Sequence, residues 1–391
     1  MTVAIIGDPH IGSHLKLGKT TIGTAINSRL LDQINLLDWC LDQSINACCS
    51  DIIITGDTFE DPKVESSIIT LFISWLKKCQ VYNINVHIIV GNHDILRSGN
   101  YYISPMDIIS EAELDGVFVY RNMETVFIKN TAYTLMPFRD RKSFNLNSNS
   151  EALAKLNESL EYELSSIPLT YKKVIVGHLC LEGALPFGDD IEDMANELIC
   201  PLDMFKGYDY VWMGHIHKPQ VMCDKPHIAH IGSMDISNFG ETDHEKILVI
   251  HNHDSFEQIK IPTRSLKKIN IIVPEGTEDT TAYVLQKIND YDLKDSIVKI
   301  EVSMDSSDLL PVNKKQIETV LYKNGTHNIS SFSEIKKINS VKKDGKKSFE
   351  NINELSSIKL YADLYVKEDV KKAFIDLASD LYSEFKLNSK D

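Results

Sequence analysis

The chain has 391 residues, 43% of them hydrophobic, which is enough for one large domain and one or two smaller ones. It contains no run of about 18 apolar residues, so we expect no membrane span. The net charge of −15 argues against a protein that coats nucleic acid by itself, because DNA-binding surfaces are usually basic. Bound divalent cations or a basic partner subunit would offset this charge, so DNA binding is not excluded.

The N-terminus and the cysteines predict a cytoplasmic protein. The first seven residues read as a β-strand, since they lack the basic region and long apolar core of a signal peptide. The seven cysteines form no Cys-x-x-Cys pair, and their odd number favours buried free thiols in a reducing compartment. The compact length and Ile-, Asn- and Lys-rich composition suit a bacterial or phage-infected cell.

Short apolar runs alternate with helical patterns through the first half of the chain. The predicted strands are Val3–Gly7, Ile52–Ile54, Val86–Val90, Val174–Val176 and Tyr210–Met213. Apolar residues at helical spacing predict one helix around Leu30–Ile45 and another around Ile68–Leu76. This βαβα order predicts an α/β sheet with helices on its faces. The runs Ile228–Ile231, Ile247–His251 and Gln258–Ile261 are predicted to be consecutive strands that extend a second sheet.

The pattern changes after about residue 263. Strands at Lys268–Val273 and Ile297–Val302 and a helix at Asn313–Lys323 predict a small α+β domain. Residues 336–347 are rich in lysine; we interpret them as a solvated linker, and a contact with the DNA backbone is the alternative. Beyond them, a short helix is predicted around Ile352–Ile358. A longer helix is predicted to carry the apolar stripe Val370, Phe374, Leu377, Leu381 and Phe385.

Five short motifs each follow a predicted strand. They are Gly7-Asp8-Pro9-His10, Gly56-Asp57, Gly91-Asn92-His93-Asp94, Gly177-His178 and Gly214-His215-Ile216-His217. Open α/β sheets bind ligands along the edge where their strands end, so these motifs should converge on one pocket. Each motif alone is weak evidence, because a lone Gly-Asp or strand-end histidine is common, but all five in this order are specific.

The residue types in these motifs indicate a metal site. Asp, Asn and His offer oxygen and imidazole nitrogen without thiolate, a set that suits Mn, Fe or Zn. Phosphoester cleavage is served by two metals about 3.5–4 Å apart, which neutralise charge and activate a water. A shared carboxylate can bridge two such ions, and Asp57 is the natural choice for it.

The motifs resemble those of the calcineurin-like metallophosphoesterase superfamily. The stretches Val176–Ala184, Tyr208–His217 and His230–Asp235 resemble its SbcD branch, which includes the meiotic-recombination nuclease. The resemblance implies an α/β fold: a two-sheet αββα sandwich with a small α+β capping domain and a C-terminal helical segment. The implied domains are a nuclease domain at 1–262, a capping domain at 263–335, a Lys-rich linker at 336–349 and a partner-binding segment at 350–391.

The resemblance also implies a role for each motif residue. Asp8, His10, Asp57 and His217 would hold one metal, and Asp57, Asn92, His178 and His215 the other. His93 would contact the scissile phosphate and assist departure of the leaving oxygen, with Asp94 orienting its ring. Some relatives carry a second phosphate-site histidine where this chain has Glu60, which puts that contribution in doubt. The remaining histidines are interpreted as structural.

These implications lead to the expected function, a Mn²⁺-dependent DNA nuclease with Mg²⁺ as the other possible cofactor. The expected partners are DNA and an SbcC-like coiled-coil ATPase, with the chain as a homodimer within a heterotetramer. The C-terminal helix is expected to dock on the coiled coil of that ATPase, and packing on this chain's own capping domain is the alternative. A small-molecule phosphodiesterase or phosphatase of the same superfamily is the alternative. A non-catalytic scaffold is the third interpretation, and the complete set of ligands argues against it.

Overall fold

The computed structural model describes residues 2–20, 23, 26–98, 101–185, 197–242, 244–305, 309–336 and 371–378. The chain divides into two compact units, residues 1–337 and residues 338–391. In unit 1 the strands are β1 (Thr2–Ile6), β2 (Cys49–Ile54), β3 (Asn85–Ile89), β4 (Leu96–Ser98), β5 (Tyr101–Ile103), β6 (Val117–Tyr120), β7 (Glu124–Ile128), β8 (Thr131–Met136), β9 (Lys172–Gly177), β10 (Cys180–Leu181), β11 (Ile199–Cys200), β12 (Tyr210–Met213), β13 (Gln220–Cys223), β14 (His227–His230), β15 (Ile247–His251), β16 (Phe256–Lys260), β17 (Leu266–Val273), β18 (Ile297–Met304) and β19 (Asn328–Lys336). The described α-helices of this unit are α1 (Ser28–Asn46), α2 (Ser66–Val81), α3 (Met106–Glu111), α4 (Asn149–Ser166), α5 (Thr280–Ile288) and α6 (Lys314–Lys323).

Two six-stranded sheets form the centre of unit 1. The first has the order β16-β15-β1-β2-β3-β6. Strands β1, β2, β3 and β6 are parallel, β15 runs antiparallel to β1, and β16 runs antiparallel to β15. The second has the order β13-β14-β12-β9-β8-β7, parallel from β14 to β8 and antiparallel at both edges. Because the central strands of each sheet are parallel, their carboxyl ends gather along one edge.

Apolar side chains fill the space between the sheets and cover both outer faces. Val3 and Ile5 face the second sheet, where they join Trp212 in a buried cluster. Ala4 and Ile6 point the opposite way, into a second cluster with α1, α2 and α3. Since β1 is buried on both faces, its continuous apolar sequence is what a central parallel strand requires. The second sheet is covered in the same way by α4, so the predicted αββα sandwich is confirmed.

Helix α1 shows how the sequence sets these layers. The side chain of Asn27 accepts a hydrogen bond from the amide of Arg29 and so caps the N-terminus of the helix. Leu30, Leu37 and Leu41 then recur at helical spacing and are buried against the first sheet. The helix therefore starts directly after the loop that carries the first motif.

The third sheet lies later in the chain and has its own core. Strands β17, β18 and β19 are all parallel and pack with α5 and α6 around a separate apolar cluster. Arg264 joins this region to the first layer, since its Nη2 lies 2.6 Å from Asp32 Oδ1 in α1. The Asn328 side chain donates to the carbonyl of Leu17 at 3.0 Å. Both strands and the helix expected in this region are present.

One expectation about the sheets was wrong. Strand β14 does extend the second sheet, but β15 and β16 join the first sheet instead, where β15 pairs with β1. The three strands therefore do not continue one sheet. The reason is that the loop after β14 crosses the edge where the sheets meet, so the following strand adds beside β1. The hairpin β7–β8 and helix α4 were also not predicted.

The predicted C-terminal stripe lies mostly outside the described residues. In unit 2 residues 371–378 are helical, and Phe374 and Leu377 on that helix are 37% and 63% exposed. Val370, Leu381 and Phe385, the Lys-rich segment after Lys336 and the short helix predicted around 352–358 fall outside the described part of the chain. Among the described residues, no helix has the length and apolar character needed to cross a membrane.

All seven cysteines are free. Five are buried as expected, but Cys48 is exposed and Cys223 is half-buried, so burial does not hold for every thiol.

Candidate metal centre

The five motifs meet at the shared edge of the two sheets. Asp8 follows β1, Asp57 follows β2 and Asn92 follows β3, whereas His178 and His215 follow strands β9 and β12 of the second sheet. Direct bonds join the two halves. The amide of His215 donates to Asp8 Oδ2 at 2.6 Å, and the amide of Phe138, after β8, donates to the carbonyl of Val90 at 2.9 Å. The structure therefore brings all seven predicted ligands into one centre.

Two groups of donor atoms form within this centre. His10 Nε2 and His217 Nε2 face each other at 3.0 Å, with Asp8 close to both rings. In the second group, Asn92 Oδ1 lies 2.8 Å from His178 Nε2 and 3.0 Å from His215 Nδ1.

Asp57 lies between the two groups. Its Oδ2 is 3.1 Å from His178 Nε2 in the second group and 3.7 Å from His10 Nε2 in the first. Its Oδ1 accepts a hydrogen bond from the amide of His93 at 2.8 Å, which holds the carboxylate in this orientation. The arrangement suits a carboxylate shared between two cations.

The outer nitrogen of each of the four histidine rings faces a protein oxygen. His178 Nδ1 lies 3.1 Å from the carbonyl of Thr55, and His10 Nδ1 lies 3.0 Å from Glu60 Oε2. His215 Nε2 lies 2.6 Å from Glu197 Oε2 and His217 Nδ1 3.3 Å from Glu241 Oε1. Three of these contacts are hydrogen bonds, whereas that of His10 with Glu60 is an ion-pair contact without hydrogen-bond geometry. Histidines that bind metals almost always donate their other ring N–H to such an acceptor, which fixes the tautomer and the ring direction.

This pattern determines what the inner ring nitrogens can do. A neutral imidazole carries one N–H, so a ring that donates outward presents a lone pair inward. The inner nitrogens of His178 and His215 then face the amide oxygen of Asn92, which can only accept. Such a gathering of acceptors is stable when positive charge lies among them, as protons or as metal ions. The donor set therefore fits divalent cations held by nitrogen and oxygen.

The pKa values of His178, Asp8 and Asp57 also show that positive charge is stabilised in this centre. Burial lowers the pKa of His178, but the carboxylates of Asp57 and Asp8 outweigh burial and raise it well above its usual value. Burial acts to raise the pKa of Asp8, yet His178 and His10 hold it at about 2. The pKa of Asp57 is likewise lowered, against its burial, by His178 and His93. Both carboxylates are thus ionised at neutral pH.

Two glycines are required by close approach and not only by turning of the chain. A Cβ atom on Gly214 would lie 2.2 Å from Asp8 Oδ1, and one on Gly91 would lie 2.1 Å from Asp57 Oδ1. Neither backbone has a positive φ, so the constraint is space. Glycine at these two positions therefore leaves room for the neighbouring carboxylate.

His93 and Asp94 have different surroundings from those expected. The His93 ring donates through Nδ1 to the carbonyl of Glu60 at 2.9 Å. Asp94 is fully buried and accepts from the amides of Gly91, Thr58 and Phe59 at 3.0–3.2 Å. The Glu60 carbonyl thus orients the ring, whereas Asp94 ties the His93 loop to the Asp57 loop. Burial and the charge of Asp57 raise the pKa of Asp94 to about 6.

Three acidic partners of the predicted ligand histidines were missed or not assigned. In the sequence, Glu60 is marked only as the residue that replaces the second phosphate-site histidine of some relatives, and in the structure it faces His10. Glu197 and Glu241 were not predicted at all. They lie in loops without a strand-end motif, so no local signal in the sequence marks them.

Comparisons with known proteins agree with this geometry. Residues 1–219 match the calcineurin-like phosphoesterase family, and the chain belongs to that family. It is 23% identical over 234 residues to the SbcD subunit of the nuclease SbcCD of Staphylococcus epidermidis, covering 56% of this chain and 61% of the relative. It is 22% identical over 269 residues to the SbcD subunit of the same nuclease of Escherichia coli K12, covering 60% of this chain and 64% of the relative. The match thus spans less than two thirds of the length of these relatives.

A solved structure, a dimetal phosphatase from Danio rerio, aligns with a TM-score of 0.40 and 14% identity, covering 67% of this chain and 98% of that chain.

We predict that Gly214→Ala disrupts the centre through space alone. Its Cβ would meet Asp8 Oδ1 at 2.2 Å, and overpacking of this kind costs about 1–3 kcal/mol. Denaturant unfolding should show this loss, and Mn²⁺ titration should show weaker binding. Gly276→Ala is the control, since its φ of +83° strains the backbone but its Cβ would meet nothing within 4 Å. It should lose about 1–2 kcal/mol and bind Mn²⁺ unchanged. Equal Mn²⁺ affinity in the two variants would contradict the argument.

Proposed function

We propose that this chain is a two-metal DNA nuclease of the SbcD type. The observation that carries the proposal is the pair of donor groups that share Asp57, each histidine ring held by an outer acceptor. Family membership supports hydrolysis of a phosphoester bond. The nuclease names of the curated relatives support DNA as the substrate.

The proposed ligands of the first ion are Asp8, His10, Asp57 and His217. The proposed ligands of the second ion are Asp57, Asn92, His178 and His215. Mn²⁺ is the proposed ion and is one of those that suit this mixture of imidazole nitrogen and oxygen; Mg²⁺ is the other possible ion. When bound, two such ions would neutralise charge on the attacking and leaving oxygens and activate a water.

His93 is proposed to act on the substrate and not on the metals. Its main-chain amide is occupied by Asp57 Oδ1 and its Nδ1 by the Glu60 carbonyl, so the ring is held rigidly beside His10, with the two ring centroids 4.9 Å apart. Burial lowers its pKa, but Asp57 and the Glu60 carbonyl outweigh burial, so the net shift is upward. A protonated ring in this place would donate a proton to the departing oxygen of a phosphodiester.

Asp94 supports His93 indirectly in this proposal. Its three backbone hydrogen bonds hold the two loops on which Asp57 and His93 are placed. Glu60 takes a third role, since its carboxylate lies 3.0 Å from His10 Nδ1. We therefore propose that Glu60 fixes a ligand ring where related sequences place a phosphate-binding histidine.

The regions beyond the sandwich are proposed to serve a large substrate and a partner. The third sheet and its helices, within residues 263–335, would act as the capping domain. Residues 350–391 would bind an SbcC-like ATPase, and Leu377, which is 63% exposed on the helix at 371–378, is an apolar side chain open to such a contact. The assembly would contain two copies of each subunit. A basic surface from the partner would compensate for the net charge of −15 in holding DNA.

The ligand assignment predicts different losses for two substitutions. Asp57→Ala should abolish binding of both ions, because its carboxylate belongs to both donor groups, whereas His217→Ala should weaken chiefly one. Metal content after gel filtration in Mn²⁺ measures this. Asp203→Ala, which removes a carboxylate that is 68% exposed, is the control and should keep two equivalents. Two full equivalents in Asp57→Ala would refute the shared carboxylate.

His93→Ala separates chemistry from metal binding. We expect nearly unchanged metal content and a fall in turnover of about 10²–10⁴-fold, the range for loss of a general acid. His253→Ala, a half-exposed histidine away from the centre, should change neither quantity. The donor atoms of His93, His10 and Asp57 also lie close enough together to hold one ion. Loss of one metal equivalent together with activity would therefore make His93 a ligand instead.

The substrate class is tested by a cleavage assay with Mn²⁺. We expect degradation of linear duplex DNA and nicking of circular single-stranded DNA, with both activities lost in His93→Ala. Hydrolysis of a small phosphodiester alone, again dependent on His93, would overturn the nuclease proposal and support a small-molecule phosphodiesterase of the same family.

A further inference from the structure

A buried ion pair lies directly behind His217. Lys246 and Glu241 are 1% and 0% exposed, and Lys246 Nζ lies 2.6 Å from Glu241 Oε2. Both residues come from the segment between β14 and β15, outside the five motifs. Burying such a pair rarely adds stability over an apolar pair of the same volume, so its presence here points to a positional role.

Lys246 holds the main chain of His217. Its ammonium group donates to the carbonyl oxygen of His217 at 2.9 Å and to Ser233 Oγ at 2.7 Å, in addition to Glu241. An ammonium has three N–H donors, and these three oxygens can accept all of them. The backbone of His217 is therefore fixed by a single buried cation, the Lys246 ammonium group.

Glu241 holds the ring of the same residue. Its Oε1 lies 3.3 Å from His217 Nδ1 and accepts from Asn238 Nδ2 at 2.8 Å and from Ser237 Oγ. Its Oε2 is occupied by Lys246. The carboxylate is thus held in place by four neighbours and presents an acceptor to the outer nitrogen of the ring.

We infer that Lys246 and Glu241 are positioning residues for His217, and that together they aim its Nε2 at the first metal. Lys246 fixes the position of the His217 backbone. Glu241 fixes the orientation of the imidazole ring and its tautomer, with the hydrogen on Nδ1. The result is the observed approach of His217 Nε2 to His10 Nε2 at 3.0 Å. This inference rests on the proposed two-metal function and assigns two further residues to it.

The pair should act on one ion more than on the other. In the second group, His215 has a different carboxylate, Glu197 at 2.6 Å, and His178 has the Thr55 carbonyl at 3.1 Å. Each of the two histidines of the last motif is therefore held by its own glutamate. A general loss of stability would weaken the binding of both ions alike. A loss of affinity for only one ion therefore distinguishes a positioning role from a merely structural one.

The experiment is Mn²⁺ binding to the full chain, measured by calorimetry and by equilibrium dialysis. In Lys246→Met we expect the Kd of one ion to rise about 10–100-fold, the usual effect of removing an outer partner of a metal ligand. The Kd of the other ion should stay within about 2-fold. Glu197→Leu, which removes the acceptor of His215 Nε2, should produce the reverse selectivity. In a His217→Ala background, Lys246→Met should have no further effect.

Two comparisons sharpen the result. Glu241→Gln keeps an oxygen that can accept from His217 Nδ1, so it should lose less affinity than Glu241→Leu. Lys260→Met is the matched control, because it breaks the exposed ion pair of Lys260 with Glu245 in the same region of the chain. It should leave both Kd values unchanged. Thermal unfolding with a chelator present checks that each variant is folded, and Glu241→Leu serves if Lys246→Met is not.

The possible failures can be told apart. If the unaltered chain binds fewer than two Mn²⁺ ions, the proposed metal centre fails and the inference falls with it. If the unaltered chain binds two ions and Lys246→Met and Glu241→Leu keep both affinities, or lose both equally, the positioning role alone is overturned.

Discussion

The carboxylate of Asp8 is the contact on which the rest of the centre depends. Its Oδ1 accepts from Thr55 Oγ1 in the first sheet at 2.6 Å, and its Oδ2 accepts from the amide of His215 in the second sheet at 2.6 Å. This fully buried anion therefore joins the two sheets at the edge where their strands end. Only a glycine at position 214 leaves room for it, so the last motif and the first motif constrain each other.

Much of the fold and the centre was predictable because the required residues leave local signals. A central parallel strand such as β1 must be apolar on both faces, and a ligand at its end must follow it directly. The outer partners leave no such signal. Glu241 and Lys246 stand in a loop whose path is set by packing, so their contact with His217 could not be inferred from spacing. The same loop explains why β15 was assigned to the wrong sheet.

The contact of Asp94 shows a second limit of reasoning from motifs. Adjacent residues in a motif were expected to act on each other, but a residue at a tight turn points its side chain away from its neighbour. Asp94 instead binds the amides of Thr58 and Phe59, which follow directly on the preceding motif. Asp94 therefore acts by accepting hydrogen bonds from the backbone of two loops. Patterns of side chains in the sequence do not reveal interactions of this kind.

The position of β15 beside β1 has a consequence for the order in which the molecule forms during synthesis. β1 is made long before β15, yet one of its two neighbours in the sheet is residues 247–251, made more than two hundred residues later. The carbonyl of Asp8 likewise accepts a hydrogen bond from the amide of Met234 at 3.0 Å, and this residue is also made much later. Contacts so distant in sequence are slow to close. The nascent chain thus lacks a finished centre until nearly all of the sandwich has been translated.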